Sequence, residues 1–394
     1  MKRLRTIILN AALGTIALAP AAAAPTRFST LANFTDNGFP TGLTSIKGTL
    51  YGVAAQGTCG TVFQLLPPTV NRGPWTIATL YTFAGNGDAC VPGGPPILGA
   101  GGALYGLTIS GGASDAGALY ELQPPASPGG PWAESVVYSF NFPDPGPPES
   151  LLVDGPDGSF YLLVEYAGGS LLQLQPPAEP GWSWNGALLW VPTGILVADD
   201  LIAGPGGSLY GAGEFGGTNQ SGDVFQLTPP AAPGGAWTYT VLHSFGPEGG
   251  ERPVTPNTLT LASDGTLYGT TYGSNDLGAI GTGAVFELKP PASPGGNWAY
   301  TRLHDFPGGH PDTPLVIQNG NLYGAVARPE GGLVFEMQPP SSPGGAWTTT
   351  YLHHFTNGQV PFGELVVAKD GALYGTTGTF FAPYSGTIYR IAPK

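Results

Sequence analysis

The sequence predicts an all-β fold: a seven-bladed β-propeller of four-stranded blades, with an N-terminal strand closing the last blade. Three observations predict it. The tripeptide Leu-Tyr-Gly recurs at intervals of 49 to 58 residues. Each copy sits in a unit with the same order of short apolar segments and turns. The two ends of the exported chain carry complementary parts of one such unit.

The second-strand tyrosines are Tyr51, Tyr105, Tyr161, Tyr210, Tyr268, Tyr323 and Tyr374, the third in a degenerate copy, "SFYLL". A repeat of this length indicates a propeller or a solenoid. Each unit opens with an apolar strand such as "TLTLAS" or "ELVVAK". A tight turn follows, often Asp264–Gly265, Asn319–Gly320 or Asp370–Gly371, pairs that tolerate the positive φ of two-residue hairpins. Next come the Leu-Tyr-Gly strand, a glycine-rich loop and a third strand such as "VFQL" or "IYRI". Prolines of the "QPPASPGG" type stop that strand, because proline cannot donate to a ladder.

The fourth strand starts at tryptophan. Trp75, Trp132, Trp237, Trp298 and Trp347 each precede a phenylalanine by eight residues, and Trp182 and Trp190 take the two places in the third unit. An even spacing puts both ends on one strand face. Two residues before the final aromatic stand Tyr81, Tyr138, His243, His304 and His353. A catalytic base is not expected to alternate with tyrosine around a scaffold, so these histidines read as packing residues with a polar tip.

The last unit stops at its third strand, "GTIYRIAPK", while "RFSTLANF" near the start matches a fourth strand. Residues 27–34 are therefore expected to pair with the C-terminal strand, removing an open edge. Complementary ends favour a ring over a solenoid.

The N-terminus, "MKRLRTIILNAALGTIALAPAAAA", has a basic start, an apolar segment and a small-residue tail, the pattern of a signal peptide over residues 1–24. Residues 25–394 then form one propeller domain. No other stretch is long and apolar enough to span a bilayer. The expected location is secreted or periplasmic. Losing Lys2, Arg3 and Arg5 leaves ten basic residues against 26 acidic ones. That balance argues against nucleic acid and anionic membrane surfaces as partners and permits neutral or cationic ligands, glycans included. Only 10% of residues are charged, and the chain has 64 glycines and 42 prolines. The aromatic and β-branched content places it with short-stranded β folds rather than disordered chains.

The unit "LYGTT…GG…GAVFELKPP…W.YT.LH.F" resembles the Gloeo/Verruco-type tandem repeat of exported bacterial proteins over nearly the whole exported chain. It resembles Kelch units more loosely, with glycine after the second strand and tryptophan opening the fourth. The resemblance implies an exported propeller and brings no catalytic motif. Members often end in a surface-anchoring segment; none is read here, so surface attachment is not expected. A monomer is expected.

Strands alternate in direction, so loops joining second to third strands share a face with blade-to-blade connections. Those loops vary, and function concentrates on such loops over a rigid scaffold. The candidate binding residues there are Glu165, Glu214, Glu251, Arg252, Asp276, His310, Asp312, Arg328 and Glu330. His310 matches no repeat position. No zinc, phosphate-loop, nucleophile-elbow or dinucleotide pattern is present, so no cofactor or metal is expected, although "GSNDLGAIGTG" can offer oxygen ligands to Ca2+. The expected function is non-catalytic binding of a glycan or protein. The alternative is a glycoside hydrolase or polysaccharide lyase using carboxylates near the channel mouth, which requires at least two of these residues to converge.

Cys59 follows the second strand of the first unit, and Cys90 lies in the connection leaving its fourth. In an oxidising compartment they are expected to form a disulfide.

Overall fold

The computed structural model describes residues 27–392, apart from 35–37, 56, 70–72, 86, 143–144, 180–182, 195–200, 219–221, 233, 247–258, 272–281, 294, 312, 329, 343, 357 and 380–384. The described strands form seven antiparallel sheets. The first blade shows the plan, from inner to outer strand: Phe39–Ile46, Thr49–Ala55, Thr61–Leu66 and Thr76–Thr82. The seventh blade is completed by Arg27–Phe34, which pairs with Gly386–Ala392 from Arg27 opposite Ala392 to Phe34 opposite Gly386. The ring is therefore closed by hydrogen bonding between the two ends of the described chain, as the sequence predicts.

Glycine in the Leu-Tyr-Gly strand has a packing cause. Each such glycine lies directly opposite an aromatic residue of the third strand. Gly52 faces Phe63, Gly106 faces Tyr120, Gly211 faces Phe225, Gly269 faces Phe286, Gly324 faces Phe335 and Gly375 faces Tyr389. A Cβ on any of these glycines would lie within about 2.2–2.5 Å of that ring. In the degenerate third blade both partners change together: Leu162 stands opposite Leu172. Two medium side chains there replace the combination of none and large, which conserves the volume of the layer.

Neighbouring blades are joined by a second aromatic rule. In five of the blades the outer-strand tryptophan meets the second-strand tyrosine of the blade before it. Trp184 meets Tyr105, Trp237 meets Tyr161, Trp298 meets Tyr210 and Trp347 meets Tyr268, with ring centroids 5.4 to 6.2 Å apart. Trp75 meets Tyr374 across the seam at 5.8 Å. Edge-to-face contacts of this kind add to the apolar burial that holds the blades.

Two expectations change. Trp184, rather than Trp182, takes the tryptophan place in the third blade, and Trp190 takes the place of His304. The register decides it: Trp190 pairs with Leu171 as His243 pairs with Val224 and His304 with Val285. Trp182 lies outside the described residues. The tryptophan and the final phenylalanine also do not share a face. Trp237 packs toward the third blade, whereas Phe245 packs toward the fifth. A β-bulge between them, seen as a register shift at Val224/Phe225, inserts one residue and inverts the alternation. The histidines do share the face of the final aromatic.

Candidate functional site

The "PPASPGG" connectors lie at one end of the blades and form the same turn each time. The second glycine donates its N–H to the carbonyl three residues earlier in Gly130, Gly235, Gly296 and Gly345, at 3.1 to 3.2 Å. Such uniformity marks a structural element.

The opposite end is varied, and it gathers exposed apolar side chains. Of six large hydrophobic residues that are exposed among the described residues, Ile109, Phe142, Val191 and Phe215 lie at this end. They belong to one sector. Ile109 lies near the end of the second strand of the second blade, Leu104–Gly111, Phe142 and Val191 sit in the connections leaving the second and third blades, and Phe215 follows the second strand of the fourth. Phe142 is 65% exposed. Exposed apolar side chains are thus concentrated at this end of blades two to four.

Carboxylates frame the sector. Pro148 and Val164 form an antiparallel bridge. On either side, Glu149 donates its N–H to Leu163 and Glu165 donates its N–H to Pro147, at 2.9 and 3.1 Å. This pairing puts Glu149 and Glu165 diagonally on one face of the third blade, the face on which Leu163 packs against the fourth blade. Glu165 is exposed, while Glu149 is partly buried and its Oε2 has no hydrogen-bond partner. Burial, and then the charge of Glu165, push the Glu149 carboxyl up to about 7. Glu214 follows the second strand of the fourth blade beside Phe215.

His310 and Arg328 lie together on the sixth blade. His310 exchanges two backbone hydrogen bonds with Ala327, at 3.1 and 2.8 Å. The Arg328 side chain crosses Gly309, where a Cβ would come within 2.9 Å of its Nε. Glu330 is exposed in the turn that follows. Glu251, Arg252, Asp276 and Asp312 lie outside the described residues. The described candidates thus fall on three blades, with Glu165 drawn to Glu149 and His310 to Arg328. Sequence reading missed Glu149, whose only signal was a carboxylate in the connector "DPGPPES". It also missed Glu364, which stands two residues before Val366, where sister units carry Gly42, Pro95, Leu151 and Pro314 before the residue paired with the tyrosine.

The disulfide forms between Cys59 and Cys90, with α-carbons 4.5 Å apart. Its position is more informative than expected. Cys90 lies in a short strand, Ala89–Pro92, that pairs with the second strand of the second blade, opposite Ser110. The bridge therefore fastens the first blade to the second rather than closing on its own blade. The Val91 N–H also donates to the Cys59 carbonyl at 2.8 Å. Beside it, Asp88 accepts from the Tyr81 hydroxyl and from the N–H groups of Ala84 and Ala89. Glu134 on the next blade meets Asp88. Burial, then the charge and hydrogen bond of Asp88, push Glu134 up to about 7.

Among the described residues no helix is long and apolar enough to cross a membrane, and no group of three or more His, Cys, Asp or Glu is placed to hold a metal.

Solved structures with this architecture include a streptogramin B lyase, at 14% identity and a TM-score of 0.56, covering 92% of this chain and 97% of that one. The extracellular domain of the putative hybrid two-component system BT4673 from B. thetaiotaomicron is 10% identical with a TM-score of 0.54, covering 92% of this chain and 39% of that one. The polysaccharide lyase Uly1 is 10% identical with a TM-score of 0.53, covering 89% of both chains. At these identities the likeness establishes the fold alone. No curated protein matches the chain. The family model described as the Gloeobacter/Verrucomicrobia repeat matches residues 197–394, half of the chain, and the protein belongs to that family.

Proposed function

We propose that the protein is an exported propeller that binds a glycan or a protein ligand through the varied end of blades two to four. The observation that carries this reading is the coincidence of exposed Phe142, Phe215, Ile109 and Val191 with Glu149, Glu165 and Glu214. An exposed aromatic ring flanked by carboxylate acceptors suits a sugar, which offers an apolar C–H face and a rim of hydroxyl donors. The acidic balance of the chain suits neutral or cationic ligands.

A glycan array probed with the purified protein tests it. Phe142→Ala and Phe215→Ala are expected to weaken the strongest hit at least tenfold while leaving the thermal transition in place. Equal binding by wild type and both variants would exclude this sector.

The Glu149–Glu165 pair is the observation on which the alternative reading, carbohydrate cleavage, would rest. A carboxyl held near neutrality beside a second carboxylate is the arrangement of an acid and its partner. Reducing-sugar and unsaturated-uronate assays on the array hits decide between the two. Cleavage by the wild type that disappears in Glu149→Gln would establish the enzyme.

A further inference from the structure

The axis of the ring holds a second feature, separate from the varied end. Two adjoining cavities, of about 220 and 240 Å3, share Leu151, Leu152 and Glu364 in their walls. The remaining wall is mostly apolar and comes from the inner strands of successive blades, including Leu201, Leu259 and Leu315. Glu364 is the only charged side chain in either wall among the described residues. Asp200, which precedes Leu201 in sequence, lies outside them.

The carboxyl of Glu364 has no hydrogen-bond or ion-pair partner among the described residues. The neighbouring backbone is committed elsewhere: the Phe362 carbonyl accepts from Thr376 Oγ1. Part of the side chain is reachable from the channel, yet protein surrounds it. Burial alone pushes its titration up to about 7. In sequence the fourth unit carries Asp200 at the place of Glu364. A core position needing only volume would take an uncharged residue, as Gly42, Pro95, Leu151 and Pro314 do, since an unpaired buried carboxylate costs stability. The carboxyl therefore stands where a ligand can supply what the protein does not.

We infer that the central channel is a binding site for a small organic cation, an ammonium group on a compact apolar body, with Glu364 as its counter-charge. The apolar wall removes the body from water. The carboxylate pairs with the ammonium in a setting of low polarity, where such a pair is stronger than at the surface. The volume fits one ring with its substituent rather than a polymer. The acidic chain raises the local concentration of cations.

Isothermal titration with benzylammonium chloride at pH 8 tests this, with benzyl alcohol as the uncharged match. One benzylammonium is expected to bind per chain. Glu364→Gln, which removes a buried charge without changing shape, is expected to weaken it at least tenfold and to leave benzyl alcohol unchanged. Glu149→Gln, at the varied end, is expected to leave both unchanged, which separates this site from the proposed glycan surface. Titration of the wild type at pH 6.5 in buffers of different ionisation enthalpy adds a readout that needs no variant: binding is expected to release protons as Glu364 ionises. The inference is overturned by no saturable binding up to millimolar benzylammonium, by equal affinity in Glu364→Gln, or by no proton release at pH 6.5.

Discussion

The imidazole of His243 lies flat on the ring of Tyr300 in the next blade, with centroids 4.3 Å apart and planes within 4° of parallel. The same slot is used elsewhere. Trp190 stacks on Tyr239 at 5.1 Å, and His353 stacks on Phe28 across the closing seam at 3.5 Å. His304 packs edge-on against Phe306. The slot needs a flat ring and tolerates a polar tip. His243→Tyr and His304→Tyr are expected to keep fold and binding, whereas His243→Ala is expected to cost about 1–3 kcal/mol in urea denaturation through the void it leaves.

Burial holds His243, His304 and His353 below the usual histidine range. A lowered histidine binds its proton more readily when unfolded. Stability from these groups is complete above the unfolded value of about 6.5 and is lost as pH falls below it. Replacing all three by tyrosine is expected to flatten the acid side of a stability–pH curve between pH 6.5 and 5. An unchanged slope would mean the rings are not held in their neutral form.

Glu134 gives the opposite sign. Its carboxyl is raised to about 7 in the folded protein, so folding favours the protonated form. Stability is then lost as pH rises through the interval from about 4.5 to 7. Glu134→Gln keeps a donor toward Asp88 and removes the charge. It is expected to gain roughly 1 kcal/mol at pH 8, after allowing for the solvent that still reaches the group, and almost nothing at pH 4. Paired denaturation curves at the two pH values check it.

The disulfide fastens two blades across 31 residues of chain. Cys59→Ser with Cys90→Ser is expected to cost roughly 3–4 kcal/mol in the chain-entropy description. Because Cys90 sits on the second blade, amide exchange should rise first in residues 88–92 and in the Phe83–Tyr120 contact between blades one and two, whose rings lie 5.1 Å apart. Free thiols at both positions in protein from its native compartment would remove the bridge from the account.

Deleting residues 26–34 leaves Gly386–Ala392 as an open edge. Aggregation at micromolar concentration is expected, because an unpaired strand offers a row of hydrogen-bonding groups to another chain. Light scattering of the truncated and full chains makes the comparison, and a monodisperse truncated protein would show that the seam is dispensable.

Leu162 and Leu172 offer a test of the glycine rule. Leu172→Phe alone is expected to overpack the third blade by about 1–3 kcal/mol. Adding Leu162→Gly should recover most of that loss, because it recreates the pairing of Gly211 with Phe225. A double-mutant cycle without coupling between the two sites would break the rule.

Periodicity by itself determined the number of blades, their strand order and the closing strand. The reason is that a repeated unit states its own plan many times, and a missing fourth strand at one end with a spare one at the other has a single economical solution. The cysteine pair was legible too, since topology brings the two loops to one end. What only the tertiary structure decided lies in register and in neighbours. One bulge residue inverts the faces of the outer strand, so spacing alone misassigned Trp182 and put tryptophan and phenylalanine on the same side. Strand pairing set Glu149 beside Glu165 and moved Cys90 onto the second blade. Ring closure turned the first strands inward, so that Glu364, an unremarked letter in "ELVVAK", became the one charged group among the described residues of the channel wall. Periodicity reports what the units share; sites arise where units differ, and which differences meet is fixed only when the ring closes.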